Sequence, residues 1–128
     1  MPGFFVSRNF AVGGIIVDDF LIIVEGKNDV RRLRAVVPDS IPIAMTYGIP
    51  GAERLEVLKK MARHRTVVVM TDADPAGRRI RRMLKEVFPD AVDVYTKPGY
   101  NGVEHTPLEY MEHVLRRVGI LPPISEQW

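Results

Sequence analysis

The segment TDADPAGRRIRR, residues 71–82, places two carboxylates next to a run of positive charge. Asp72 and Asp74 are two residues apart, and side chains at this spacing point the same way in an extended segment. Neighbouring carboxylates repel one another and stay ionised only when a cation neutralises them. A hard divalent ion such as Mg²⁺, completed by water and substrate phosphate, is the usual partner of such a pair. The arginines that follow could then meet the phosphates that the acids repel; they are Arg78, Arg79, Arg81 and Arg82.

An Asp-x-Asp pair also has a plain structural interpretation, as a turn or a helix cap. Short acidic side chains accept hydrogen bonds from nearby backbone N–H groups, which favours aspartate at both places. The arginines could equally form a solvated helix face. A second acidic motif at the same place in the fold would favour the metal site over these alternatives.

The hydrophobic pattern predicts the elements that position these residues. Short apolar runs alternate with segments whose apolar residues recur every three or four positions, which is typical of strands followed by helices. Strands are predicted at LIIVE, IPIAMTY, TVVVMTD and AVDVYT, and helices at VRRLRAVV, ERLEVLKKMARH, GRRIRRMLKEVF and PLEYMEHVLRRVG. Uniformly apolar strands are buried on both faces. We therefore predict an α/β fold with a mainly parallel four-stranded sheet and helices on both faces.

The 128 residues, with 46% hydrophobic and 27% charged side chains, suit one globular domain. We expect an N-terminal extension over residues 1–20, in which FAV and IIV could pair as a hairpin, a domain over 21–120 and a C-terminal tail over 121–128. The absence of cysteine excludes a disulfide scaffold and thiolate metal sites. No signal peptide and no run of about 18 apolar residues is present, so we expect a cytoplasmic protein without a membrane partner. The net charge of +2 is compatible with nucleic acid.

The ends of the predicted strands carry the acidic residues. In an open parallel sheet, ligands bind beyond the carboxyl ends of the strands. The first strand ends at Glu25 in VEGKND, the third ends at Asp72, and the fourth leads into the loop that contains GVEH, residues 102–105. We therefore expect the carboxylates of Glu25, Asp72 and Asp74 to converge at one edge of the sheet and to hold Mg²⁺.

The two acidic motifs together resemble the Toprim family. VEGKND matches its Glu-Gly-x-x-Asp signature, and TDADPAG matches its Asp-x-Asp signature in the right order and at a fitting separation. The resemblance runs from about Leu21 to about His113 and implies the Toprim (Rossmann-like) fold. The GVEH segment looks like the ribonuclease that matures 5S ribosomal RNA and like the small primase-like stand-alone Toprim proteins.

The resemblance implies a role for each candidate residue. Glu25 would be the general acid/base or a metal ligand, and Asp72 and Asp74 would bind Mg²⁺, for which Mn²⁺ could substitute. Contacts to phosphate or nucleic acid are expected from Lys27, Arg78, Arg79 and Arg82. Supporting residues are expected in the same motifs; they are Gly26, Asp29, Gly77, Glu104 and His105.

Some supporting roles have alternatives. Gly26 and Gly77 would let the backbone approach a phosphate closely. Asp29 could support the site or cap its helix. Glu104 and His105 are pocket candidates through the resemblance alone, and His105 could equally be a surface residue.

The resemblance implies Mg²⁺-dependent phosphoryl transfer on nucleic acid, and we expect an endoribonuclease-like protein that acts on structured RNA, with RNA favoured over DNA. Two alternatives stay open: a nucleic-acid-binding Toprim module without catalysis, and a primase-like nucleotidyltransferase subunit. A homodimer or a protein partner is plausible, because so short a chain offers little surface to grip a duplex. A topoisomerase is disfavoured, because its nucleophilic tyrosine lies in another domain.

Overall fold

The computed structural model describes residues 10–12, 15–17, 19–95 and 102–122. Its strands are β1 (Phe10–Val12), β2 (Ile15–Val17), β3 (Phe20–Val24), β4 (Ile43–Met45), β5 (Thr66–Thr71) and β6 (Val92–Tyr95). Its α-helices are α1 (Lys27–Arg34), α2 (Ala52–Met61), α3 (Pro75–Val87) and α4 (Leu108–Arg117), and a short 3-10 turn (Val103–His105) precedes α4. Much of the predicted polar loop before GVEH and most of the predicted tail lie outside the described residues.

The main sheet is parallel and four-stranded, as the sequence predicts, and its strand order in the structure is β4-β3-β5-β6. From β3 the chain moves to one side to form β4, and it then crosses back past β3 to form β5. The direction of strand addition therefore reverses between β3 and β5. In open α/β sheets this reversal opens the crevice in which ligands bind.

Both faces of the sheet are buried, which explains its uniformly apolar strands. Ile22 and Val68 pack in a core with α1 and α4 on one face. Ile23 and Val69 point the other way and pack with α2 and α3. All four side chains have no solvent-exposed area. Helices on both faces, as predicted, fix the β3 and β5 backbones and so fix the residues that follow them.

The predicted N-terminal pairing is also observed. Strands β1 and β2 pair antiparallel as a separate two-stranded sheet, with Phe10 opposite Val17. The predicted turn at Gly13 and Gly14 lies outside the described residues. The proposed boundaries at residues 20 and 120 stay predictions.

Within the described residues, no helix combines the length and the apolar character needed to cross a membrane. The longest, α3, has 13 residues, whereas a spanning helix needs about 20.

Candidate active site at the carboxyl edge of the sheet

Glu25 and Asp72 meet at the point where the strand order reverses. Glu25 follows β3 and Asp72 follows β5, and these strands pair in parallel with Ile23 opposite Val69. The Asp72 backbone N–H donates a hydrogen bond of 2.9 Å to Glu25 Oε2. Parallel pairing thus joins two acidic motifs that are 47 residues apart in the chain.

Negative charge accumulates around Glu25. Its pKa is raised from the ordinary value, first because burial removes water from the charged form, and then because Asp72, Asp74 and Asp29 add negative charge nearby. The hydrogen bond from the Asp72 N–H opposes this shift. A bound cation would relieve the repulsion, so the charge of this cluster suits a divalent metal.

The Asp72 carboxylate is held by the segment that precedes α4. The Val103 backbone N–H donates a hydrogen bond of 3.0 Å to Asp72 Oδ1. Gly102 lies against the same carboxylate with φ of +78°, and a Cβ added there would overlap the Asp72 side chain. Glycine is therefore required at 102 both for the backbone conformation and for the close approach.

A chain of hydrogen bonds connects this segment to α1. The Thr106 hydroxyl donates to the Gly102 carbonyl at 2.6 Å. Arg32 donates to the Thr106 carbonyl twice, from Nε at 3.2 Å and from Nη2 at 2.8 Å. Arg32 and Thr106 therefore support the peptide that binds Asp72. Sequence reasoning missed both, because their 74-residue separation leaves no local pattern.

Asp74 has a different role from Asp72 in this structure. It is the N-cap of α3, and its Oδ1 accepts a 2.7 Å hydrogen bond from the Gly77 N–H. Its side chain is exposed. The helix-cap interpretation of the Asp-x-Asp motif is therefore correct for Asp74, whose Oδ1 makes the capping hydrogen bond. The helix N-terminus stabilises this arrangement because it supplies unpaired N–H groups.

The expected convergence of three carboxylates around a metal stays a prediction, although Asp72 and Asp74 both lie near enough to Glu25 to raise its pKa. In the described part of the chain, no three His, Asp or Glu side chains are arranged to hold a metal. Glu25 and Asp72 come together, whereas Asp74 turns one oxygen to its own helix. In donor type the residues still fit a hard cation, which prefers carboxylate oxygens. Metal binding itself stays a prediction.

Gly26 and Asp29, the supporting residues of the first motif, are bonded to each other. Asp29 Oδ2 accepts a 3.1 Å hydrogen bond from the Gly26 N–H, so the capping alternative for Asp29 is observed. A Cβ at Gly26 would have no neighbour within 4 Å. The described residues therefore give no reason for glycine at 26.

Gly77 is required by packing within the protein. A Cβ at this position would overlap the backbone carbonyl of Asp72. The first turn of α3 thus lies directly against the end of β5. The expected reason for this glycine, approach to a phosphate, is replaced by contact between helix and strand.

The basic residues divide into exposed and buried groups. Lys27 is exposed in the first turn of α1, and three arginines are exposed along α3; they are Arg78, Arg79 and Arg82. Arg81 is only 5% exposed, and its Nη2 donates to the carbonyls of Thr71 at 3.2 Å and Val94 at 3.3 Å. The expectation that Arg81 meets phosphate is therefore wrong, because this side chain joins the ends of β5 and β6.

The two remaining candidates lie on the 3-10 turn beside the Asp72 contact. His105 is exposed there. The backbone of Glu104 belongs to the same turn, and its side chain lies outside the described part. Both pocket roles stay predictions.

The chain is similar in sequence to the Toprim domain and to proteins that contain it. The family model of the Toprim domain matches residues 20–101. The uncharacterized protein YusF of Bacillus subtilis is 30% identical over 100 residues, which cover 78% of this chain and 68% of that protein. Ribonuclease M5 of Staphylococcus aureus is 35% identical over 106 residues, which cover 76% of this chain and 58% of that protein. The chain thus spans less than two thirds of this ribonuclease.

Solved structures show the same fold. The small TOPRIM domain protein from Bacillus stearothermophilus superposes with a TM-score of 0.71 at 33% identity, covering 79% of this chain and 86% of that one. These matches confirm the predicted fold and the resemblance stated from the two acidic motifs.

Proposed function

Because the chain belongs to the Toprim family, we propose that it is a divalent-metal-dependent nuclease that acts on structured RNA. The observation that carries this proposal is the placement of Glu25, with its raised pKa, against the backbone of Asp72 at the ligand-binding edge of the sheet. Similarity to ribonuclease M5 supports cleavage of nucleic acid and RNA as the substrate class. The proposal concerns the domain that the two proteins share, because the chain spans only part of that relative.

In this proposal Glu25 moves a proton during phosphodiester cleavage. A carboxylate whose pKa is raised accepts a proton more readily, which suits a group that takes a proton and returns it. Burial and the neighbouring carboxylates produce this shift. Asp72 stays in place through the Val103 N–H.

Glu25, Asp72 and the uncapped oxygen of Asp74 are the groups that would hold Mg²⁺ or Mn²⁺. When bound, the ion supplies positive charge that stabilises the developing charge on the phosphate. Two neighbouring residues position Asp72. The Val103 N–H orients its carboxylate, and Gly102, which has no Cβ, leaves room for that carboxylate.

The exposed arginines of α3 support a phosphate-containing substrate. Arginine binds phosphate through a planar fork of N–H donors and stays charged at every physiological pH. Arg78, Arg79 and Arg82 begin one turn after the Asp74 cap. Substrate phosphates near the acidic residues would therefore lie within reach of positive charge. A protein partner or a second copy of the chain stays a prediction.

The test is cleavage of labelled structured RNA and duplex DNA in Mg²⁺ or Mn²⁺. Glu25→Gln is expected to lower the rate by about 10²–10⁴-fold, since it removes proton transfer while retaining the shape of the side chain. Asp72→Asn should also abolish cutting. The matched control is Asp90→Asn, an exposed aspartate before β6, at the opposite edge of the sheet. Unchanged cutting by Glu25→Gln would contradict the proposal, and a preference for DNA would correct its substrate class.

A binding module without catalysis is the second candidate. It is favoured by the absence, among the described residues, of three carboxylates arranged around a metal position. It predicts that the wild-type chain binds RNA with a steep salt dependence and leaves it intact in Mg²⁺ and in Mn²⁺.

A further inference from the structure

Tyr47 is an exposed aromatic residue at the same edge of the sheet as Glu25. It lies two residues after β4, and its backbone N–H donates a 2.9 Å hydrogen bond to the Glu25 carbonyl. Its side chain is 63% exposed. The backbone of Tyr47 is thus bonded to the backbone of Glu25, and its aromatic side chain is open to solvent.

The backbone of Tyr47 adopts a conformation that large side chains rarely take. Its φ is +58°, in the left-handed region, and Gly48 follows with φ of +80°. Glycine or asparagine would occupy this position with little strain, whereas a bulky residue is strained there. Two hydrogen bonds enforce the conformation, from Thr46 N–H to the Val24 carbonyl and from Tyr47 N–H to the Glu25 carbonyl. Strain of this kind concentrates at ligand-binding positions.

Arg54 supports the tyrosine ring. Its guanidinium carbon lies 4.7 Å from the ring centroid, a distance at which a cation attracts an aromatic face. Arg54 Nε also donates a 2.6 Å hydrogen bond to the Met45 carbonyl, which fixes the guanidinium against the end of β4. The contact with Arg54 favours this orientation of the ring in the absence of a ligand.

We propose that Tyr47 stacks on an unpaired nucleobase of the substrate strand beside Glu25. This inference rests on the proposed function and specifies its substrate: RNA with an unpaired or splayed nucleotide near the cleaved bond. A base inside a continuous duplex has both faces covered by its neighbours, so only an unstacked base can offer a face to the ring. Stacking of this kind tolerates any base, because every base has an aromatic face.

The test measures binding without turnover. Fluorescence anisotropy in EDTA would follow a labelled RNA hairpin with a single-stranded flank, in which 2-aminopurine replaces one unpaired base at a time. Tyr47→Ala is expected to weaken binding about 5- to 150-fold, which corresponds to the ~1–3 kcal/mol of one stacked base. It should also remove the 2-aminopurine quenching at one position. Tyr47→Phe should retain both signals, since it keeps the ring.

Two controls separate the ring from its surroundings. Tyr47→Asn should unfold at the same or a higher temperature, because asparagine accepts the left-handed conformation, yet bind RNA as weakly as Tyr47→Ala. Ile49→Ala removes another exposed apolar side chain from the same loop and should leave affinity unchanged. A fully paired duplex should bind wild type and Tyr47→Ala equally.

The outcomes distinguish this inference from the proposed function. Binding of the hairpin by wild type and by Tyr47→Ala with equal affinity would overturn the stacking role and leave the nuclease proposal intact. Loss of affinity in Tyr47→Phe equal to that in Tyr47→Ala would assign the effect to the hydroxyl and would also overturn stacking. Failure of the wild type to bind any RNA in EDTA would overturn the stacking role, whereas the nuclease proposal is overturned only by the cleavage test in Mg²⁺ or Mn²⁺.

Discussion

The end of β5 and the first turns of α3 are adjacent in sequence and differ in how their side chains are held. Asp72 is held on three sides: its N–H by Glu25, its carboxylate by the Val103 N–H, and its carbonyl by the close approach of Gly77. The α3 arginines, apart from Arg81, extend into solvent. The residues at the sheet edge are thus fixed by contacts with other segments, whereas the exposed arginines of α3 offer charge and reach in solvent.

The largest effects are expected from substitutions at glycines near Asp72, because two of them pack against this residue. Gly77→Ala should lower the free energy of unfolding by at least ~2 kcal/mol, because the new methyl group overlaps the Asp72 backbone, which cannot move without disturbing β5. Gly102→Ala should lower it by about 1–2 kcal/mol through its left-handed conformation. It should also displace the Asp72 side chain and reduce cleavage. Urea unfolding and cleavage rates measure both effects.

The matched control is Gly26→Ala. No atom lies within 4 Å of a Cβ at this position, so the expected loss is below ~1 kcal/mol and comes from the helix cap alone. Equal losses at all three glycines would contradict the close packing around Asp72.

Arg32 tests whether Asp72 is positioned from a distance. Arg32→Lys cannot reproduce two hydrogen bonds from one planar group to the Thr106 carbonyl. If Asp72 binds metal, its affinity for Mn²⁺, measured by titration calorimetry, should fall about 10- to 100-fold, as for other partners that orient metal ligands. Arg31→Lys is the control, because the Arg31 guanidinium donates to the Asn28 side chain on its own helix. Equal Mn²⁺ affinity in both variants would assign Arg32 a purely structural role.

The exposed arginines should differ among themselves. Arg78 and Arg82 line a groove of about 490 Å³ beside β6, together with Lys85 and Asp93, and Arg79 does not. Arg82→Ala should weaken RNA binding and reduce the slope of log affinity against log salt by about 0.7–0.9, the loss of one phosphate contact. Arg79→Ala removes the same charge outside the groove and should reduce the slope less than Arg82→Ala does. Equal slopes for the two variants would mean that the helix acts as a diffuse charge.

The smallest expected effect is the pH dependence that the charge of Glu25 gives to the stability of the fold. Because the pKa of Glu25 is raised in the folded chain, folding favours its protonated form, and wild type loses this stabilisation as pH rises through the folded pKa. Glu25→Gln keeps an oxygen that can accept from the Asp72 N–H and carries no charge. In EDTA, its melting temperature should exceed that of wild type by more at about pH 7 than at about pH 4. A difference that does not change with pH would contradict the charge repulsion at this edge.

The fold could be predicted from the sequence alone, and so could the meeting of Glu25 and Asp72 at one edge of the sheet. Uniformly apolar strands between amphipathic helices require a sheet buried on both faces, and parallel pairing brings the residues that follow β3 and β5 to one edge. Glu25 and Asp72 could therefore be placed together from their positions after LIIV and TVVVMT. Pro75 stands at the start of α3, where proline is favoured because it suits the first helical turn.

The contacts that each residue makes at that edge could not be predicted from the sequence. Asp74 caps α3, and Arg81 links the ends of β5 and β6. Gly102 leaves room for the Asp72 carboxylate. Arg32 supports the segment whose backbone binds that carboxylate. Tyr47 acquires its left-handed backbone from hydrogen bonds to residues that precede it by more than twenty positions. These roles depend on contacts between segments far apart in the chain. Hydrophobic periodicity and local motifs indicate which face of a helix or strand a residue lies on. They carry no information on the residue from a distant segment that packs against it.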